Sequence, residues 1–312
     1  MLVMTLAVPG MMLASLVGAP VVARDQGSTV ITVGSMSFTE QRILGEMISL
    51  MLEDAGYNVE RKLDLGTSAD AHQALVSGEI DVYVEYTGGG LVAILGSPVP
   101  TAANGGPATP VASVRERVYD TVAEGYLEEF GVVWLDELGF NNSYAMAVTA
   151  GTADELDLDT ISDLKGHASD MTLGTDQEFP DRQDGLSGLE KAYGLEFGEV
   201  KPGDPGLMYT AIENGDVDII TAYTTDGRLP GLDLVILEDD RGFFPPYYAA
   251  PVVRQDVLVE NPELADVLNQ LSGQVSEAEM AGMNYQVDVE GKEPIDVARA
   301  FLENEGIIDA AG

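Results

Sequence analysis

One short pattern occurs twice in this chain, in the same order and at nearly the same spacing. Ser77–Val82 (Ser-Gly-Glu-Ile-Asp-Val) matches Asn214–Ile219 (Asn-Gly-Asp-Val-Asp-Ile) at an offset of 137 residues. Earlier in each half, Ile31–Ser35 matches Met171–Thr175 at an offset of 140. The longer pattern is typical of a helix that ends at a glycine and leads into a strand. We therefore expect two lobes of like topology, each an α/β sandwich.

Strand and helix patterns alternate through both halves of the chain. Strands are expected at Val30–Gly34, Val59–Leu65, Ile80–Val84, Val132–Leu135, Met171–Gly174 and Val217–Ala222. Helices are expected at Ile43–Ala55, Ser68–Ser77, Val111–Glu129, Leu186–Tyr193, Leu207–Asn214, Pro262–Leu271, Ser276–Asn284 and Pro294–Glu303. This alternation predicts largely parallel sheets, in which ligands bind at the C-terminal ends of the strands.

The chain is strongly acidic, with 53 Asp and Glu residues against 15 Lys and Arg and a formal net charge of −38. Because 45% of the residues are hydrophobic and the acids are spread throughout, this is a folded acidic protein and not a disordered tail. The charge repels phosphate backbones, so we expect no nucleic-acid partner. Salt at about 1 M screens such repulsion beyond about 3 Å. We interpret the composition as adaptation to a very saline environment, with an ordinary acidic secreted protein as the alternative.

The N-terminal segment is apolar, and Arg24 carries the first ionisable side chain. Residues 2–23 are long enough to span a bilayer, but prolines and glycines interrupt them and they end in small residues suited to cleavage. We interpret residues 1–27 as an export signal, or alternatively as an uncleaved N-terminal membrane anchor. Either interpretation places the remaining chain outside the cytoplasm.

Patterns typical of catalysis or metal binding are scarce. The chain has no cysteine, which excludes disulfides, thiolate metal sites and cysteine nucleophiles. Its two histidines, His72 and His167, lack the spacing of a metal site or a triad, and we expect both at the surface. Four acids within residues 176–184 have ligand types suited to a divalent ion, but a solvated acidic loop is the simpler interpretation. We therefore expect no bound metal, no cofactor and no enzyme activity.

Four tyrosines are more informative. The repeat places Tyr86 opposite Tyr223, each at the expected end of a strand. Tyr144 and Tyr247 lie in polar-aromatic segments that lead into strands, so we expect them where the chain crosses between the lobes. Four rings around one cleft form an aromatic cage, which binds quaternary ammonium through the ring faces. For any one tyrosine, partial burial with a hydrogen-bonded hydroxyl is the alternative.

Five longer motifs occur in a fixed order between about residues 30 and 308. They are Val33–Gln41, Ser77–Gly88, Phe140–Ala145, Ala222–Gly227 and Phe243–Tyr248. In sequence and order they resemble the substrate-binding proteins of ABC importers for glycine betaine, choline and related osmoprotectants. The resemblance implies the α/β type II periplasmic-binding-protein fold, with two α/β sandwich lobes joined by two crossover strands and closing on the ligand. It implies lobe 1 at residues 28–143, lobe 2 at 144–247 and a return to lobe 1 at 248–312.

The resemblance also implies which residues bind the ligand. They are Tyr86, Tyr144, Tyr223, Tyr247, Arg182, Asn142, Gln41 and Met36. Arg182 corresponds to the arginine that helps to hold the carboxylate in betaine binders. Met36 is a departure, because the family often has a lysine there that supports the same carboxylate, and Gly89 stands where some betaine binders have a threonine. A carboxylate ligand would thus be bound by one cation, Arg182, instead of two. Choline, which has a hydroxyl and no carboxylate, becomes a more competitive candidate ligand.

Together these features predict an exported, monomeric binding protein. It captures a quaternary ammonium solute, glycine betaine or choline, and delivers it to the permease subunits of an ABC importer in the membrane. One alternative is a binding protein for another osmolyte or an amino acid, such as ectoine or proline. A less favoured alternative is an enzyme on the same fold, since most acid–base and nucleophilic schemes use histidine or cysteine.

Overall fold

The structure, a computed structural model, describes residues 30–98 and 111–310 of the chain. The expected export signal or anchor at residues 1–27 lies outside them. Within the two described ranges, no helix combines the length and the apolar character needed to cross a bilayer.

Strands and helices alternate from β1 to β4 and again from β5 to β8. The strands are β1 (Val30–Gly34), β2 (Asn58–Lys62), β3 (Val82–Tyr86), β4 (Val132–Trp134), β5 (Tyr144–Thr149), β6 (Thr172–Asp176), β7 (Glu199–Gly203), β8 (Ile219–Tyr223), β9 (Leu234–Leu237) and β10 (Ala249–Arg254). The helices are α1 (Thr39–Asp54), α2 (Ser68–Ser77), α3 (Thr87–Gly89), α4 (Val111–Phe130), α5 (Ala150–Leu156), α6 (Leu186–Tyr193), α7 (Pro205–Glu213), α8 (Gln255–Glu260), α9 (Leu264–Leu268), α10 (Glu277–Asp288) and α11 (Pro294–Asn304). Three of these elements, β1, α2 and α6, have the bounds that the sequence predicts.

The described strands form two five-stranded sheets, in the orders β2-β1-β3-β10-β4 and β7-β6-β8-β5-β9. In the first sheet β1 pairs parallel with β2 and β3, whereas β10 pairs antiparallel with β3 and β4. In the second sheet β6 pairs parallel with β7 and β8, whereas β5 pairs antiparallel with β8 and β9. In each sheet four of the five strands therefore run in one direction, in line with the prediction of largely parallel sheets. Only β10 in the first sheet and β5 in the second run the other way, because these two strands follow the crossings of the chain.

Within the described residues the chain crosses between the sheets twice, before β5 and before β10. The two crossings pair with each other: Asn141 and Tyr248 form an antiparallel bridge, and the N–H of Asn142 donates to the carbonyl of Tyr247 at 3.0 Å. We call the first sheet with its packed helices lobe 1, and the second sheet with its helices lobe 2. Two α/β lobes connected by two crossings confirm the predicted fold class.

The internal repeat is visible as the same hydrogen-bonded corner in each lobe. In lobe 1 the carboxylate of Asp81 accepts from the N–H of Thr32 at 2.8 Å, and the N–H of Asp81 donates to the carbonyl of Thr32 at 2.8 Å. In lobe 2, Asp218 and Thr172 exchange the same two bonds at 2.8 and 3.0 Å. The corner ties β1 to β3 in lobe 1 and β6 to β8 in lobe 2, so β3 and β8 end at equivalent places beside the cleft between the lobes.

Helix α1 forms much of the core of lobe 1. Its apolar positions, including Ile43, Leu44, Met47 and Ile48, are fully buried, and α9, α10 and α11 pack against it. Burial of these side chains is the main favourable term that holds the helix in place. Its first turn thereby stays fixed beside the cleft, which matters for the residue Glu40.

Candidate functional site

A cavity of about 320 Å³ lies between the lobes, with walls from both lobes and from both crossings. Most of the residues that the sequence assigns to a ligand line this cavity. They are Met36, Tyr86, Asn142, Tyr144, Arg182, Tyr223 and Tyr247. The cavity lies beside the ends of β3, β6 and β8, as expected for α/β sheets.

Gln41 is the exception, because its side chain turns into the core and does not line the cavity. Its Oε1 accepts from the N–H of Met36 at 3.3 Å, and its Nε2 donates to the carbonyl of Val84 at 3.0 Å. Gln41 thus supports the loop that carries Met36. Its amide is satisfied inside lobe 1 by these bonds, and direct ligand contact at Gln41 stays a prediction.

The four tyrosine rings belong to one aromatic cluster. The ring centroid of Tyr144 lies 5.3 Å from that of Tyr223 and 5.8 Å from that of Tyr247. Phe38 stacks at 6.2 Å on both Tyr86 and Tyr223 and connects the remaining ring to the others. Phe38 also lines the cavity. Sequence reasoning missed it, although it lies inside the motif that contains Met36.

Three of the four hydroxyls donate to buried carboxylates. The pairs are Tyr86 with Glu40 (2.6 Å), Tyr223 with Asp176 (2.8 Å) and Tyr247 with Asp184. Burial raises the pKa of each of these three phenols well above its usual value. The phenols therefore stay protonated at neutral pH, and their hydrogen bonds orient the rings at the cavity wall.

The acidic segment 176–184 is only in part the solvated loop that composition suggests, because Asp181 is exposed whereas two of the other acids are buried. Asp176 and Asp184 are 4% and 0% exposed. Asp176 additionally accepts from the N–H groups of Glu178 and Phe179 at 2.7 and 2.8 Å. Within the part of the chain that the structure describes, no cluster of histidine and acidic side chains is suited to a metal ion. The expectation fails for Asp176 and Asp184 because their hydroxyl partners lie far away along the chain.

Arg182 is the one basic residue among the described residues that line the cavity. Its Nε and Nη2 donate to the two carboxylate oxygens of Asp184 at 2.9 and 2.7 Å, and its Nη1 donates to Glu178 at 3.4 Å. The guanidinium carbon lies 5.7 Å from the ring centroid of Tyr144. Such a planar group presents further N–H donors to a carboxylate, while its charge is compensated by the neighbouring acids.

Glu85 adds a buried carboxylate to the cavity wall that sequence reasoning did not identify. It accepts from the hydroxyls of Ser68 and Tyr83 at 2.5 and 2.9 Å and from the N–H of Tyr86 at 2.7 Å. Burial raises the pKa of Glu85, and these bonds act against the rise. A Cβ at Gly89 would lie 2.9 Å from Oε1 of Glu85, so a threonine at position 89 requires this carboxylate to move.

The two histidines take no part in the cavity. His72 is buried, with its ring edge-on to Tyr126 and Phe130 at centroid distances of 5.1 and 4.6 Å. The expectation of a surface position is wrong for His72, because α2 turns this face towards α4. Burial lowers the pKa of His72 to about 4. His167 is partly exposed.

Known proteins resemble the chain over nearly its whole length. Residues 29–304 match the sequence profile of the substrate binding domain of ABC-type glycine betaine transport systems. The carnitine transport binding protein OpuCC of Listeria monocytogenes is 36% identical over 282 residues, which cover 89% of this chain and 88% of that protein. A glycine-betaine-binding protein of Pseudomonas aeruginosa is 34% identical over 291 residues, with 89% and 88% covered. The crystal structure of a glycine betaine/carnitine/choline ABC transporter has a TM-score of 0.71 at 34% identity, covering 89% of this chain and 100% of that one.

Proposed function

Because the chain belongs to the family of substrate-binding domains of ABC-type glycine betaine transport systems, we propose that it captures glycine betaine or choline in its tyrosine-lined cavity. Proteins of this family serve transport and work outside the cytoplasm with an ABC permease. We extend both properties to this chain, as an exported monomer that delivers its solute to such a permease and has no enzyme activity. We also retain the lobe boundaries at residues 28–143, 144–247 and 248–312.

The observation that supports this function most is the aromatic cluster itself. Ring faces attract a cation without needing a hydrogen-bond donor, and a quaternary ammonium group has no N–H to donate. The hydroxyls of Tyr86, Tyr223 and Tyr247 are bonded to carboxylates, so the rings are held in place before a ligand arrives. A cavity of about 320 Å³ suits a small solute, at the lower end of the usual range for ligand sites.

The charges around the cavity favour a cationic group. Glu85, Asp176 and Glu178 line it together with a single described cation, Arg182. The acids stabilise the trimethylammonium group common to both candidate ligands. Arg182 is the group available to the carboxylate of glycine betaine. Choline has no carboxylate and cannot form this charge-assisted pair. Met36 contributes an apolar wall at the place of the family's lysine.

A direct test is isothermal titration calorimetry in molar KCl with glycine betaine, choline, carnitine, proline and ectoine. We expect saturable heat with at least one of the first two and none with proline or ectoine, which lack a trimethylammonium group. Thermal unfolding with the same panel provides a second measurement, since a specific ligand raises Tm by mass action. Binding of proline or ectoine in preference to glycine betaine, choline and carnitine would contradict the proposal.

A further inference from the structure

Glu40 is a buried carboxylate at a point where distant parts of the chain meet. It lies in the first turn of α1 and is 2% exposed. Its Oε1 accepts from the hydroxyl of Tyr86 at 2.6 Å and from Nδ2 of Asn142 at 2.9 Å. Its Oε2 accepts from the hydroxyl of Thr225 at 2.6 Å and from Nδ2 of Asn284 at 3.0 Å.

The donors come from different parts of the fold. Tyr86 ends β3 and Asn142 lies on the first crossing, and both line the cavity. Thr225 follows β8 in lobe 2. Asn284 belongs to α10, which packs on α1 in lobe 1. A single carboxylate therefore bonds the cavity wall, a crossing and both lobes.

The segment after β8, Thr224–Gly227, is held against lobe 1 by more than this carboxylate. Nδ2 of Asn284 also donates to the carbonyl of Thr225 at 2.9 Å. At Gly227 a Cβ would lie 2.3 Å from the backbone nitrogen of Tyr285 in α10, so this approach of the two backbones requires glycine. The post-β8 segment is thus a non-covalent connection between the lobes, next to the two covalent crossings.

We propose that Glu40 is a positioning residue that couples the movement of the lobes to the geometry of the cavity. Two-lobed binding proteins close around their ligands by rotation about a hinge. Glu40 bonds the post-β8 segment beside that hinge and, with its other oxygen, fixes Tyr86 and Asn142. Closure is thereby transmitted to two side chains that face the ligand. This inference rests on the proposed function, because the cavity must be the binding site.

A carboxylate suits this place because of its hydrogen-bonding capacity. Both of its oxygens accept, so it satisfies donors on all sides. A glutamine at position 40 turns an amide N–H₂ towards one hydroxyl and one asparagine N–H₂. The hydroxyl can reverse and accept, but the bond to the asparagine is lost. Burial raises the pKa of Glu40, and the bonds from Thr225, Tyr86, Asn284 and Asn142 act against the rise.

The decisive variant is Thr225→Val, which removes the lobe 2 donor and leaves the cavity lining intact. Its matched control is Thr221→Val on β8, whose hydroxyl donates to Thr175 within lobe 2 at 3.1 Å. Both threonines are 1% exposed, so both substitutions remove a buried hydroxyl. By calorimetry we expect Thr225→Val to weaken ligand binding about five- to tenfold, the worth of one hydrogen bond, and Thr221→Val to change it less than about twofold.

Glu40→Gln is the second variant, and it should weaken binding more than Thr225→Val does. The urea midpoint of each variant separates positioning from stability, because a purely structural role lowers the midpoint and leaves Kd of the folded protein unchanged. Unchanged Kd in both Glu40→Gln and Thr225→Val would overturn the inference.

If the wild-type protein binds no quaternary ammonium, the proposed function fails. The radius of gyration from X-ray scattering then tests the connection between the lobes through the post-β8 segment. A larger radius in Thr225→Val than in Thr221→Val supports it, and equal radii refute it.

Discussion

The hydroxyl of Tyr223 donates to the carboxylate of Asp176 at 2.8 Å and so connects the last residues of two neighbouring strands, β8 and β6. The bond orients the Tyr223 ring between Phe38 and Tyr144. Because Asp176 is also bonded to two backbone N–H groups, its position does not depend on the tyrosine. The cavity wall is therefore ordered in advance, which reduces the entropy that ligand binding has to overcome.

The first prediction concerns this ring. Tyr223→Ala should weaken binding of choline and glycine betaine by about 2 kcal/mol, the worth of a desolvated cation–π contact. Tyr223→Phe should lose much less, since the ring remains and Asp176 keeps its backbone donors. Calorimetry in high salt measures both. Tyr119→Ala, in lobe 1 and away from the cavity, is the control for loss of a tyrosine. Equal losses in Tyr223→Ala and Tyr223→Phe would mean that the ring face does not bind the ligand.

The second prediction distinguishes the two candidate ligands through Arg182. In Arg182→Ala, glycine betaine should lose about 2–5 kcal/mol of affinity if the guanidinium holds its carboxylate, and choline should lose far less. The substitution also leaves Asp184, 0% exposed, without its cation, so the fold is destabilised for both ligands alike. The ratio of the two Kd values is therefore the quantity to compare. Equal losses would make Arg182 a structural residue.

Met36→Lys is the complementary variant for this prediction. It restores the family's second cation at a residue that lines the cavity and is 5% exposed. The new charge should favour glycine betaine over choline, because it attracts a carboxylate and repels a ligand that carries only a positive charge. Met36→Gln separates the effect of charge from that of polarity. A ratio of Kd values that moves towards choline would refute the assignment of this wall to the carboxylate.

The third prediction concerns acid and His72. The pKa of His72 is about 4 in the folded protein against 6.5 for a free histidine. Between these values the unfolded chain takes up a proton that the folded protein does not, so stability is lost as pH falls from 6.5 to 4. The loss is about 3 kcal/mol. Urea unfolding at pH 7 and pH 4.5 should show a smaller acid effect in His72→Phe than in the wild type. His167→Gln, at the partly exposed histidine, should behave as the wild type does.

The fourth prediction concerns salt. With a formal net charge of −38, the folded protein repels itself in dilute buffer, and molar salt screens that repulsion. Tm should therefore rise between dilute buffer and molar KCl or NaCl. Both salts should act similarly, because screening depends on ionic strength. A Tm independent of salt would remove the interpretation of this composition as adaptation to brine.

Local sequence patterns were sufficient to predict the two lobes and most of the residues that line the cavity. The corner that Asp81 and Asp218 repeat is encoded in a few adjacent residues, so the sequence indicated two like lobes and placed Tyr86 and Tyr223 at equivalent strand ends. Polar-aromatic segments that lead into strands indicated Tyr144 and Tyr247, and family motifs added Arg182 to the same cavity. The bounds of β1, α2 and α6 followed because hydrophobic periodicity and glycine stops act over one element at a time, whereas β7, β9 and α5 were not predicted.

Tertiary structure decided which distant side chains meet. Asp176 bonds Tyr223 across 47 residues and Glu40 bonds Thr225 across 185, and no local pattern encodes either pair. For the same reason the sequence did not show that Asp176 and Asp184 are buried, or that the amide of Gln41 bonds inside lobe 1. The direction of β5 and β10 likewise depends on how the chain crosses between the lobes. Hydrogen bonds between remote segments follow from how whole layers pack, and that packing is determined by the chain as a whole and not by any short stretch of it.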